Sequence, residues 1–378
     1  MMNRRRFLTR TGVAALGLAG GKLVWGAFPA EDQAMPDGSQ ARGMITRATQ
    51  DAIDGGLAYL ETQQHADGSF GSPPHRGNVA ITSIAGLAFM AGGHQPGRGR
   101  YGRVVSKALE FLVNLEHNNT RPGYLFNPNA AQQNGPMYGH GFATLFLAEA
   151  YGMVATSPLR ERLRASLGRA VQLIISTQNN EGGWRYTPAA NDADISVTIC
   201  QIMALRAAKN AGFSVPAEVA ANCTRYVERC QDLAGDGGFR YQRTGNSRPG
   251  FARTAAGVVA LYSAGIYTGR SVERGLDYLM QRWLPGAAAA AAQWERQEMQ
   301  MHYYYGHYYA VQAMWIAGGD YWRRWYPAIR DELVHHPDRN ADGSWWDRRY
   351  FPHCPHYGTA MACIIMQVPN NYLPIFQR

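Results

Sequence analysis

The chain has 378 residues, 46% of them hydrophobic and only 17% charged, which excludes a disordered polypeptide. Five cysteines are too few for a disulfide scaffold, and no apolar run reaches the roughly 18 residues of a membrane-spanning helix. The formal charge is +9, but residues 1–30 hold Arg4, Arg5, Arg6, Arg10 and Lys22 and no acid. The remainder carries 32 basic against 28 acidic residues, scattered without a stripe, so the charge does not point to nucleic acid.

In chain order, Asn3-Arg4-Arg5-Arg6-Phe7-Leu8-Thr9 matches the twin-arginine export pattern. A short, glycine-rich apolar stretch follows, too short for an anchor. The expectation is a signal peptide over 1–30, cut between Gly26 and Ala30, and a protein that acts in the periplasm or another extracytoplasmic space. A linker over 31–50 leads into a single domain over 51–378. Cys200, Cys223, Cys230, Cys354 and Cys363 are expected to be buried thiols.

Six amphipathic segments then recur, beginning at Gly56, Ala108, Ala170, Cys223, Gly275 and Ala328, with spacings of 52, 62, 53, 52 and 53 residues. Apolar residues at i, i+3 and i+4 make each a helix. Most stop at a glycine–aromatic turn: Gly68 with Phe70, Gly123 with Tyr124, Gly182 with Trp184, Gly237 with Phe239, Gly343 with Trp345. After each turn comes a more apolar helix, expected at 79–91, 141–152, 195–210, 254–264, 307–317 and 359–368. One such pair cannot bury its own apolar face, whereas six pairs closed on themselves can. The predicted fold is all-α, an α/α toroid of six helix hairpins. Residues 284–300 interrupt the fifth repeat and are expected to form an exposed helix or a flap over the ring mouth.

The segment Gly56-x-x-Tyr59-Leu60-x-x-x-Gln64-x-x-x-Gly68-x-Phe70 resembles the QW repeat of squalene–hopene and oxidosqualene cyclases. The run from Ala170 through Gln178 and Gly182 to Trp184 has the same spacing. Protein prenyltransferase β subunits share this repeat. The resemblance implies that the inner helices turn their amino-terminal ends to a central cavity. It also makes the motif structural, with the Gln bonding a neighbouring helix end while the aromatic ring packs over the turn.

Polar residues stand where those inner ends would lie. Asp192-Ala193-Asp194-Ile195-Ser196-Val197 resembles the acid motif of protonating triterpene cyclases. It implies Asp194 as general acid, Asp192 as its support and His140 as a hydrogen-bond partner. Ile195 stands where that family has another Asp. Asp194 is equally suited to cap the helix that begins at Ile195. Arg253, Tyr305, His307, His356 and Tyr357 are the candidate ligand-binding residues. The prenyltransferase resemblance would require zinc, and its usual ligands are not all present. No metal or other cofactor is expected, the alternative being a non-standard zinc site of His302, His307, Cys354 and His356. Glycan hydrolases on the same ring need paired carboxylates across the cavity, and the other inner-helix starts lack acids. Asp338 to Gly343 imitates the start of a calcium loop but coincides with a repeat turn. Tyr321 to Tyr326 is amphipathic enough for at most peripheral membrane contact. The function expected is binding of an apolar, isoprenoid-like molecule or a peptide in the ring cavity. The alternative is a protonation-initiated terpenoid cyclase.

Overall fold

The computed structural model describes residues 39–131, 135–155, 157–245, 247–286 and 292–377. The export signal expected over 1–30 lies outside them. Among the described residues the regular structure is helical: α1 Arg47–Gln63, α2 Val79–Ala91, α3 Gly102–His117, α4 Pro136–Tyr151, α5 Pro158–Ser176, α6 Ile195–Asn210, α7 Ala217–Arg229, α8 Phe251–Ser263, α9 Arg270–Arg282, α10 Gln293–Met301, α11 Tyr303–Ala317, α12 Gly319–Val334 and α13 Pro355–Gln367.

Six of these form an inner ring. α2 packs on α4, α4 on α6, α6 on α8, α8 on α11, α11 on α13, and α13 returns to α2. These helices are apolar nearly all round because they have neighbours on every side, and almost every residue of α2 and α13 is buried. The outer helices α1, α3, α5, α7, α9 and α12 bury one stripe each, as Val272, Gly275, Leu276 and Leu279 do on α9. The toroid expected from the repeat is therefore present.

The inner-helix ranges at 79–91 and 195–210 agree with the sequence pattern. Those of α4, α8, α11 and α13 start three to five residues earlier than expected. Their first turns carry Pro, Tyr, Arg or His, which break the apolar pattern without breaking the helix. The described part of the expected linker is also not free. Gln40 donates to the Trp315 carbonyl at 3.1 Å, and Trp322 Nε1 donates to the Gln40 carbonyl at 2.8 Å.

The turns explain the repeat. Gln64 Nε2 donates to the carbonyls of Gly68 and of Val104, in the first turn of the next outer helix. Gln178 does the same to Gly182 and Val219, and Gln231 to Gly237 and Ser271. Each Gln thus ties its own turn to the open end of the neighbouring hairpin. In the second repeat Glu116 takes that place. It accepts from the Gly123 amide at 2.8 Å and from Arg169 Nε at 2.8 Å. A second bond recurs as well. The amides of Phe70, Trp184, Phe239 and Trp345 donate to Thr82, Thr198, Thr254 and Thr359 on the inner helices. In the second repeat the donor is Leu125, not Tyr124, and its acceptor is His140 Nδ1 at 3.3 Å.

The Asp338–Gly343 segment is likewise a repeat turn. Asp342 accepts from the Ser344 amide at 2.9 Å, and Asp338 pairs with Arg348. Trp322, Trp325 and Tyr326 are buried in the core, so these three aromatic side chains of α12 face inward. No described helix is long and apolar enough to cross a membrane. All five cysteines are free and buried.

Candidate functional site

The inner helices converge at their amino-terminal ends on a cavity of about 330 Å³. All six contribute: Ala80 and Ile84 from α2, Tyr138 and Phe142 from α4, Ser196 from α6, Ala252 and Arg253 from α8, Tyr305 from α11 and Tyr357 from α13. The connecting segments add Tyr186, Tyr241, Asp347, Tyr350 and Phe351, and the inserted segment adds Glu298 and His302. The floor is apolar and the walls are aromatic. Charge is confined to the Arg253–Glu298 pair, 3.2 Å apart, and to Asp347.

Of the candidate residues, Arg253, Tyr305 and Tyr357 line this cavity. Of the others, His302 also lines it, Asp192 is more than half exposed, and Asp194, His140, His307, His356 and Cys354 are buried outside its lining. Asp194 is fully buried, and its Oδ1 accepts from the amides of Ser196 and Val197 at 2.8 and 2.9 Å. Its Oδ2 pairs with Arg185 Nη1 at 2.9 Å. Burial raises the Asp194 pKa from the ordinary carboxylate value, against the opposing pull of the Val197 and Ser196 amides, Arg185 and Tyr241. Asp192 is more than half exposed and touches the same arginine at 3.3 Å. Arg185 also stacks over Tyr186, 4.3 Å from the ring centroid, and donates to the Tyr241 hydroxyl at 3.1 Å. The Tyr186 and Tyr241 hydroxyls are hydrogen-bonded to each other. Asp194 itself does not line the cavity, and Arg185 links it to Tyr186 and Tyr241, which do.

The histidines are structural in their contacts. His140 holds the Leu125 amide, and burial pushes its pKa down to about 3. His356 Nδ1 accepts from the Gly71 amide at 2.8 Å, and Cys354 Sγ from the Ser72 amide at 3.3 Å, joining the sixth repeat to the first. His307 stands in the register of the threonine acceptors. The insert replaces the turn that would donate to it, so both ring nitrogens lack a hydrogen-bond partner between Phe251 and Tyr303. His302 is on the cavity wall, stacked on Tyr350. The zinc set of His302, His307, Cys354 and His356 is thus not assembled. Among the described residues no three His, Cys, Asp or Glu side chains come together to hold a metal ion.

Sequence reasoning missed Tyr186, Tyr241, Asp347 and Glu298. The first three carry a signal: each stands two residues after the turn aromatic, at Trp184, Phe239 and Trp345. The backbone there is extended, with bridges from all three aromatics, so i+2 again faces the ring interior. Burial raises the Asp347 pKa, and the amides of Tyr350 and Arg349 hold one of its oxygens at 2.9 and 3.1 Å. Glu298 has no repeat signal, because it belongs to the insert.

No protein-family model matches the chain, and no curated protein matches it in sequence. Solved structures do match in shape. The type II terpene cyclase MstE from Scytonema shares 15% identity with a TM-score of 0.56, over 87% of this chain and 98% of its own. A substituted variant of the same cyclase, bound to its substrate geranylgeranyl dihydroxybenzoate, gives 14% and 0.55 over 87% and 98%. An inactive variant of an α-1,6-mannanase from Salegentibacter sp., bound to α-1,6-mannotriose, gives 8% and 0.59 over 86% of this chain and 99% of its own. At such identities the likeness is one of fold: the chain is an α/α toroid similar to those of terpene cyclases and mannanases.

Proposed function

We propose that the protein binds a small, largely apolar, isoprenoid-like molecule in the central cavity of the ring. The observation that carries this reading is the cavity itself. Its volume of about 330 Å³ is of small-molecule size, all six inner helices wall it, and tyrosine and phenylalanine make up half of its lining. Its size and aromatic lining suit a small molecule better than a peptide. Tyrosine gives apolar faces with polar tips, which suits a hydrocarbon body bearing one polar end.

The test is equilibrium dialysis with geraniol against the wild type, Ala252→Trp and Ala80→Trp. Either substitution places an indole in the cavity from a position on its wall. Saturable binding is expected, with affinity falling at least about tenfold in both variants while their helical content is unchanged. Equal binding by all three proteins refutes the cavity.

A second reading is the protonation-initiated cyclase, with Asp194 as acid and Asp192 as its support; His140, expected beside them, is instead bonded to the Leu125 amide. Burial raising the Asp194 pKa favours it. The four donors around that carboxylate and its place behind the tyrosine wall favour an anchoring role instead. Turnover of a linear polyprenyl substrate, lost by about 10²-fold or more in Asp194→Asn, would establish the cyclase. The Asn variant keeps the acceptor that caps α6.

We also infer export through the twin-arginine route. Arg4→Lys with Arg5→Lys is expected to leave unprocessed protein in the cytoplasm, read by fractionation and immunoblotting. Unchanged export of the double variant would remove the assignment.

A further inference from the structure

We propose that Glu298, carried by α10, is a built-in stand-in for a carboxylate on the ligand, and that Arg253 is the group both compete for. This rests on the cavity reading and specifies its ligand: an apolar molecule ending in one carboxylate, not a neutral or cationic one.

The insert that carries Glu298 has no counterpart in the other five repeats. It places α10 on α8 and α11, at the cavity wall. Most of α10 is exposed, and only Met299 on it is buried. Its ties include the Glu295–Arg282 pair at 3.2 Å and Trp294 against the edge of Trp283. The Glu298 carboxylate lies against Gly250, the residue just before α8, as well as against Arg253. A β-carbon built on Gly250 would stand 2.3 Å from Glu298 Oε1 and 2.5 Å from Arg253 Nη2. No side chain caps α8, so its free amides add a partial positive charge beside the guanidinium. That is the chemistry of a carboxylate site, occupied by the protein's own carboxylate.

The occupancy is imperfect. Glu298 Oε1 and Arg253 Nε are both buried without an aligned hydrogen bond, although the ion pair is 3.2 Å long. A ligand carboxylate free to choose its angle can make the two-pronged contact that the tethered one does not. Asp347 also faces the cavity and would oppose an incoming anion if ionised. Burial already favours its protonated form, and an added carboxylate favours it further. When the ligand takes Arg253, Glu298 is released to solvent and α10 loses one of its ties to α8.

Three probes of one size separate the possibilities: geranate, geraniol and geranylamine, measured by equilibrium dialysis on the full chain. Removing a tethered competitor frees the site. Glu298→Gln is therefore expected to raise geranate affinity relative to geraniol by about tenfold. Arg253→Gln is expected to lower geranate affinity by about tenfold and cancel its advantage over geraniol. A purely structural ion pair predicts the opposite sign for Glu298→Gln, a loss or no change for every probe. Either of those results, or a preference for geranylamine, overturns the proposal. If geraniol binds the wild type and geranate gains nothing in Glu298→Gln, this inference alone falls. If no probe binds, the cavity reading falls with it.

Discussion

Gly182→Ala is expected to lower the unfolding free energy by roughly 3 kcal/mol or more, while Gly212→Ala costs about 1 kcal/mol. Both glycines have a positive φ, +102° and +92°, so both variants carry the same backbone strain. The difference is space. A β-carbon at Gly182 would stand 2.1 Å from the Asn222 carbonyl oxygen of α7, and one at Gly212 would meet nothing within 4 Å. The collision is with backbone, so relief requires the third and fourth hairpins to part. The same approach recurs at Gly68 on Lys107, Gly123 on Arg169 and Gly343 on Gly55, the last being where the sixth turn meets the first outer helix. Urea unfolding of the two variants measures the contrast. Equal losses would mean that the turns do not set the spacing between hairpins.

The wild-type protein is expected to lose stability relative to Glu149→Gln as pH rises from about 4.5 to about 8. Glu149 is buried on α4, where its Oε2 accepts from the Ile375 amide of the carboxyl-terminal segment at 3.3 Å. Burial pushes its pKa from 4.5 up to about 8, against weaker pulls from that amide and Arg206. Between those two values the folded chain holds a proton that the unfolded chain has released. Its contribution to stability is thus fully present below about pH 4.5 and is lost as pH climbs to about 8, by something on the order of 3–5 kcal/mol. Glutamine keeps an acceptor for the amide and has no charge to bury. Thermal or urea unfolding at pH 5, 7 and 9 should show the two proteins diverging steadily. Parallel curves would mean that Glu149 is solvated or paired when ionised. The terminal segment also binds through Trp315 Nε1 to the Phe376 carbonyl at 3.1 Å and Arg206 to the Gln377 carbonyl at 2.7 Å, so it should loosen first.

The hairpin count, the ring and the turn glycines were all legible in the residues. The reason is that each depends on contacts that repeat. An inner helix must be apolar all round, an outer one along a stripe, and a Gln must reach from its own turn to the next helix. Those demands recur every fifty or so residues and leave a periodic trace. The second repeat shows how tolerant they are, since Glu116 stands in for Gln with the direction reversed, accepting from the Gly123 amide, and His140 replaces Thr as the acceptor on the inner helix. His140 stood out in the sequence as chemistry, yet its Nδ1 does a threonine's work.

Membership of the cavity was not legible in the same way. Asp194, His307 and His356 stand at the amino ends of inner helices, where the resemblance placed the site, and all three turn into the protein interior behind its wall. Asp347 and Glu298 drew no notice and line it. A helix end fixes only the height of a residue in the ring. Whether its side chain points to the axis or to the neighbouring hairpin depends on its angle around the helix and on the path of the segment before it. Extended segments turned Tyr186, Tyr241 and Asp347 inward, and an insert without periodicity brought Glu298 to Arg253. The sequence by itself thus determined the scaffold, because burial and backbone hydrogen bonding act locally and repeat. The tertiary structure alone decided which charges meet in the cavity, because that depends on the directions of side chains from six hairpins that touch only when the ring is closed.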